Sequence, residues 1–179
     1  PKSRSLRVLW LAEELHLDYE TVKVDLLATR PTLTSPHPRG KVPFLIDGDI
    51  AVAETLAICF YLCEKNKETS LYPTEVNAKT TIDAWLSFSL TDLESPVWNL
   101  LKLMVFTPED KRSATLVDYF KHEAEKAIAQ VSIGDNSPWL AGENFTLADI
   151  FMSHTLLWAK LCGIDLNNNL KTYIERAMS

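Results

Sequence analysis

A chain of 179 residues, 46% hydrophobic and 23% charged, is long enough to bury one or two small cores. Its net charge of −6 gives no electrostatic reason to expect nucleic acid or an anionic membrane surface as a partner, and no apolar run approaches the roughly 18 residues of a membrane span. Because Pro1-Lys2-Ser3-Arg4-Ser5 leads into no signal-type apolar segment, a cytoplasmic protein that meets small molecules or other protein chains is expected.

The first predicted element is an amphipathic helix starting near Ser5, with Val8, Leu11, Ala12 and Leu15 on one face and Arg7, Glu13 and Glu14 elsewhere. Val22 and Val24 alternate with Thr21, Lys23 and Asp25, which reads as a short strand, and residues 26–40 have loop character. Pro43 lacks an N–H and so belongs at the start of a strand. Since X-Pro is the one bond at which the cis form is cheap, Val42-Pro43 is expected to be cis, turning the Val42 backbone toward the first helix. Phe44-Leu45-Ile46 and Ile50-Ala51-Val52 flank Asp47-Gly48-Asp49, a strong signal for a tight Asp-Gly hairpin turn, because Asp-Gly tolerates the positive φ such turns need.

A helix over 55–65 follows, apolar on most sides, beginning at Glu54-Thr55. Helix starts leave N–H groups unpaired and carry positive partial charge, so this one suits a ligand carboxylate. The polar run from Asn66 to Pro73 reads as a linker. Beyond it only helical periodicity remains, broken near Thr107-Pro108, at 133–138 and at Gly163-Ile164-Asp165. Cys59, Cys63 and Cys162 form no CxxC and fit buried thiols, without disulfide scaffold or zinc site. Trp85, Phe88 and Trp98 lie at helical spacings and fit a core rather than a ligand pocket. Thr146 and Asp149 have capping-box spacing, with Phe145 and Ile150 placed to close the helix end as a staple.

Four stretches carry a family resemblance, in order and over nearly the whole chain. Residues 3–15 (Ser3-Arg4-Ser5 through Leu15), His37-Pro38-Arg39-Gly40-Lys41-Val42-Pro43, Ala53-Glu54-Thr55-Leu56-Ala57-Ile58-Cys59-Phe60-Tyr61-Leu62, and Trp139-Leu140-Ala141-Gly142-Glu143-Asn144-Phe145-Thr146-Leu147-Ala148-Asp149-Ile150 resemble successive motifs of the cytosolic glutathione transferase superfamily, in its bacterial, serine-like form. The resemblance implies an α+β fold: a thioredoxin-like glutathione-binding domain over 1–66, a linker over 67–74 and an all-α helical domain over 75–179. A thioredoxin-like sheet has a further strand before the first helix, so residues before Pro1 are expected in the natural protein. Continuation beyond Ser179 is expected as well, because residues 173–179 read as helix.

The implied chemistry is activation of the glutathione thiol and its transfer to a small electrophile, with glutathione as co-substrate and no metal. A free thiol with a pKa of about 8.5 is roughly 3% thiolate at pH 7; a hydroxyl donating to sulfur at a helix N-terminus shifts that balance. By resemblance Ser3 is the first choice for this donor and Ser5 the second, while the same geometry would serve a plain N-cap. No cysteine stands there for mixed-disulfide chemistry. The resemblance further assigns the Val42 main chain, beside Pro43, to the cysteinyl backbone of glutathione, Glu54 to its γ-glutamyl ammonium, Thr55 to its carboxylate, and Lys41 to the glycyl carboxylate. His37 and Arg39 read as loop residues. A two-fold homodimer is implied too. The alternative is a non-catalytic module of the same fold used for protein contacts.

Overall fold

The computed structural model describes residues 3–25, 33–66, 70–133 and 137–179. Residues 26–32 of the predicted loop, 67–69 of the linker and 134–136 of the break before Trp139 lie outside the described residues. Two compact units are distinguished, Pro1–Tyr72 and Pro73–Ser179.

In the first unit, α1 (Ser5–Glu14) packs against α2 (Thr55–Lys65), with β1 (Phe44–Asp47) and β2 (Ile50–Ala53) forming an antiparallel pair that also meets α2. Leu11, Ala12 and Leu15 from α1 and its end, with Ile58, Cys59, Leu62 and Cys63 from α2, make the buried core. Arg7 corrects the amphipathic reading. It is fully buried on the stripe of Leu11, four residues on, rather than on the solvent face.

The hairpin register pairs Phe44 with Ala53 and Asp47 with Ile50, which leaves Gly48 and Asp49 as the two turn residues. Gly48 has φ +59, and no such value occurs at Asp49. Positive φ at the first central position alone is the pattern of a type II′ turn, so the turn centre is Gly-Asp rather than the expected Asp-Gly, because Asp47 pairs in the ladder. The Val42–Pro43 bond is cis. Residues 21–25 form no strand: no ladder partner runs beside them among the described residues, and Val22 is 72% exposed. Alternation alone does not hold a strand that has no neighbour.

The second unit contains α3 (Val76–Phe88), α4 (Glu94–Leu101), α5 (Ala114–Ile128), α6 (Leu147–Leu161) and α7 (Asn168–Ala177). One π-turn (Ser89–Leu93) joins α3 to α4 and another (Lys102–Phe106) follows α4. Pro96 explains the first of them. It cannot donate to the Asp92 carbonyl and its ring crowds that carbonyl, so the ladder changes step just before it. The run ends at Thr107, which is extended, with Pro108 after it.

Helix α6 is the centre of this unit, packed by α3, α4 and α7, and twelve of its residues are buried. A helix apolar nearly all round belongs in a core. Its start is fixed by Asp149, whose Oδ2 accepts from both the N–H and the hydroxyl of Thr146 at 2.8 Å. Its Oδ1 accepts from the N–H of Leu140 at 3.0 Å and the hydroxyl of Tyr173 at 2.8 Å. The capping box is present in both directions. The hydroxyl-to-carboxylate bond and the two distant donors are additions that spacing did not foretell. Trp98 packs on Trp158 at 5.3 Å and Trp85 on Phe88 at 5.8 Å.

Candidate functional site

The loop before β1 is folded by its own side chains. Ser35 donates its hydroxyl to the Lys41 carbonyl at 2.5 Å and accepts the His37 N–H at 3.2 Å. His37 Nδ1 accepts the Arg39 N–H at 3.0 Å, and the Gly40 N–H reaches the His37 carbonyl at 2.8 Å. Gly40, at φ +62, closes this turn where a side chain would be strained. With Nδ1 accepting, a neutral His37 ring carries its proton on Nε2. That nitrogen lies 3.9 Å from Glu54 Oε1.

Glu54 stands at the N-cap of α2 with φ +71, a conformation that glutamate rarely adopts. Its Oε1 receives the Arg39 guanidinium, whereas Oε2 takes no partner among the described residues. Thr55 is the first helical residue and is buried. The first α2 bond runs from the Ile58 N–H to the Glu54 carbonyl at 3.0 Å, so the N–H groups of Thr55, Leu56 and Ala57 have no intrahelical acceptor. The structure thus joins Glu54 to His37 and Arg39, two residues read from sequence as plain loop. Neither has a local signal, because the partner is 15 residues away from Arg39.

Val42 and Pro43 are half-buried and Lys41 is exposed. Among the described residues the Val42 N–H and C=O take no hydrogen-bond partner. Ser3 precedes the N-cap of α1 and Ser5 is its first residue. Arg4 occupies the N-cap with helical dihedrals and makes no side-chain capping bond. The Ser3 carbonyl accepts the Leu6 N–H at 3.3 Å. No hydrogen bond among the described residues links either serine hydroxyl to Val42 or Glu54.

Cys59, Cys63 and Cys162 are free and buried. Burial pushes the Cys63 thiol up to about 12 and that of Cys162 up to about 11. Cys59 is raised as well, first by burial and then by Cys63, with the Arg7 charge opposing. None is poised as a nucleophile. No group of three or more metal-ligating side chains occurs among the described residues, and none of their helices is long and apolar enough to cross a membrane.

Residues 1–64 match the family of the glutathione S-transferase N-terminal domain, and residues 96–179 that of the glutathione S-transferase C-terminal domain. The chain belongs to the glutathione transferase superfamily. It is similar to glutathione S-transferase F14 of Arabidopsis thaliana, at 32% identity over 152 residues, covering 79% of this chain and 59% of that protein. The chain therefore spans less than two thirds of that relative. In fold it is similar to the theta class glutathione S-transferase of Xanthomonas axonopodis pv. citri with glutathione bound (24% identity, TM-score 0.78, 98% of this chain and 87% of that one). It is likewise similar to Ure2p in complex with glutathione (22% identity, TM-score 0.84, 98% and 85%). A thioredoxin-like domain followed by a helical domain is the family's architecture, and this chain has it as a small two-stranded sheet with helices and then a helical unit.

Proposed function

We propose that this chain binds glutathione, activates its thiol and transfers it to a small electrophile, as a cytoplasmic detoxification enzyme. The observation that carries the reading is the Glu54-Thr55 start of α2. A carboxylate with one open oxygen adjoins a hydroxyl and three N–H groups without intrahelical acceptors. Such a pair is complementary to the ammonium and carboxylate of one α-amino acid head. The Val42 main chain, without partners among the described residues, offers both a donor and an acceptor to the cysteinyl backbone as an added strand. Lys41, exposed, suits the glycyl carboxylate. Two proteins of similar fold are described with glutathione bound, which favours the same ligand here.

Thiol activation falls to Ser3, with Ser5 as the second choice. A hydroxyl at the start of α1 donates to sulfur while the helix N-terminus favours its negative charge. The thiol loses its proton to solvent, the thiolate attacks an electrophilic carbon, and the leaving group departs with the bonding pair. With Ser3→Ala, turnover should fall by about tenfold to a hundredfold while glutathione affinity changes little, the pattern of a lost transition-state interaction. Ultraviolet thiolate absorbance against pH in the glutathione complex checks this. An unchanged titration in Ser3→Ala beside a large shift in Ser5→Ala would move the role to Ser5. Binding without thiolate formation in the wild type would favour a non-catalytic module. A two-fold homodimer completes the proposal, and sedimentation showing only monomer at micromolar concentration would reject it.

A further inference from the structure

Resting on the glutathione reading of this site, we infer that Arg39 is a positioning residue for Glu54, held in turn by the His37 turn. Glu54 has three side-chain torsions and is 60% exposed, so alone it would sample many rotamers before meeting an ammonium. Its backbone is fixed at φ +71, and its carboxylate is held from across the site by Arg39. Arg39 is itself anchored at the main chain, since its N–H is given to Nδ1 of a buried His37 whose Nε2 faces the same Oε1. Both contacts use Oε1. A carboxylate has about four lone-pair sites, so this arrangement leaves Oε2 presented to a ligand cation instead of occupying the whole group. Arg39 is 62% exposed, which makes its role separable from folding.

The test is a calorimetric cycle with the whole chain and two probes, reduced glutathione and an analogue with a glutaryl group in place of the γ-glutamyl group, which lacks the ammonium. Arg39→Ala should weaken glutathione roughly two- to fivefold, the scale of an exposed ion pair. Arg39→Lys should restore part of that loss, and the analogue should bind equally to wild type and Arg39→Ala. Equal or tighter glutathione binding in Arg39→Ala, with Glu54→Ala still weakened, would make Arg39 a bystander or a competing cation and overturn the inference alone. Equal weakening of both probes would overturn it too, because Arg39 would then be touching a ligand carboxylate. If the wild type binds no glutathione, the underlying reading fails and the inference falls with it.

Discussion

Asp149 is a buried carboxylate satisfied by four donors, and it ties the start of α6 to the Leu140 turn and to α7 through Tyr173. Removing one donor from a buried acceptor costs more than the bond itself, because no water replaces it. Thr146→Ala should destabilise the protein by about 1–2 kcal/mol in urea unfolding, with glutathione affinity unchanged. Tyr173 adds a pH signature. Its hydroxyl is held well above the usual tyrosine range by burial first and by Asp149 second. With the folded value above the unfolded one, that stabilisation is fully present below the unfolded pKa of about 10 and is lost as pH rises toward the folded value. The urea midpoint should fall above about pH 10, the raised buried thiols adding to the loss, and Tyr173→Phe should lessen the fall. At this scale the sequence displayed Thr146 and Asp149, which are three apart. Tyr173 is 24 residues from its partner and left no local trace, and neither did His37 or Arg39 beside Glu54.

Among the elements, the hairpin depends on Gly48 for φ and not for room, since nothing lies within 4 Å of where a Cβ would stand. Gly48→Ala should therefore cost about 1 kcal/mol through backbone strain alone, with Gly48→Asn milder, as thermal unfolding would read. The hairpin is also tied to α2 where Asp47 accepts from Lys65 and, at 2.8 Å, from the Tyr61 hydroxyl. These bonds, that of Lys65 foremost, hold the Asp47 carboxyl below its ordinary range. Its contribution is present above the unfolded carboxylate pKa and lost as pH falls through the folded value. Being exposed, it should be small and should shrink with added salt. Elements defined by local chemistry were readable in advance: the Pro43 entry, the glycine turn, and a helix from Thr55 to Lys65. The strand expected at 21–25 and the π-turns around α4 were not. The first depends on a neighbour, and the second on how Pro96 is accommodated in a helix that continues through it.

At the scale of the whole molecule, two units with their own cores carry different tasks in this account. The helical unit is organised around α6, and the proposed ligand groups Lys41, Val42, Pro43, Glu54 and Thr55 all belong to the first unit. Motif order made the fold readable, since four stretches had to occur in sequence. The electrophile site was not readable, because apolar side chains carry no spacing signature. Glutathione binding at the start of α2 is the claim on which thiol activation and the Arg39 role both depend. Calorimetric titration of reduced glutathione into the wild type and Glu54→Ala, at equal thermal stability, tests it most directly. Saturable binding at one site per chain is predicted, weakened about tenfold or more in Glu54→Ala, the scale of a lost bond to a charged group. No saturable heat in the wild type at millimolar ligand, or equal affinity in both proteins, would contradict the account.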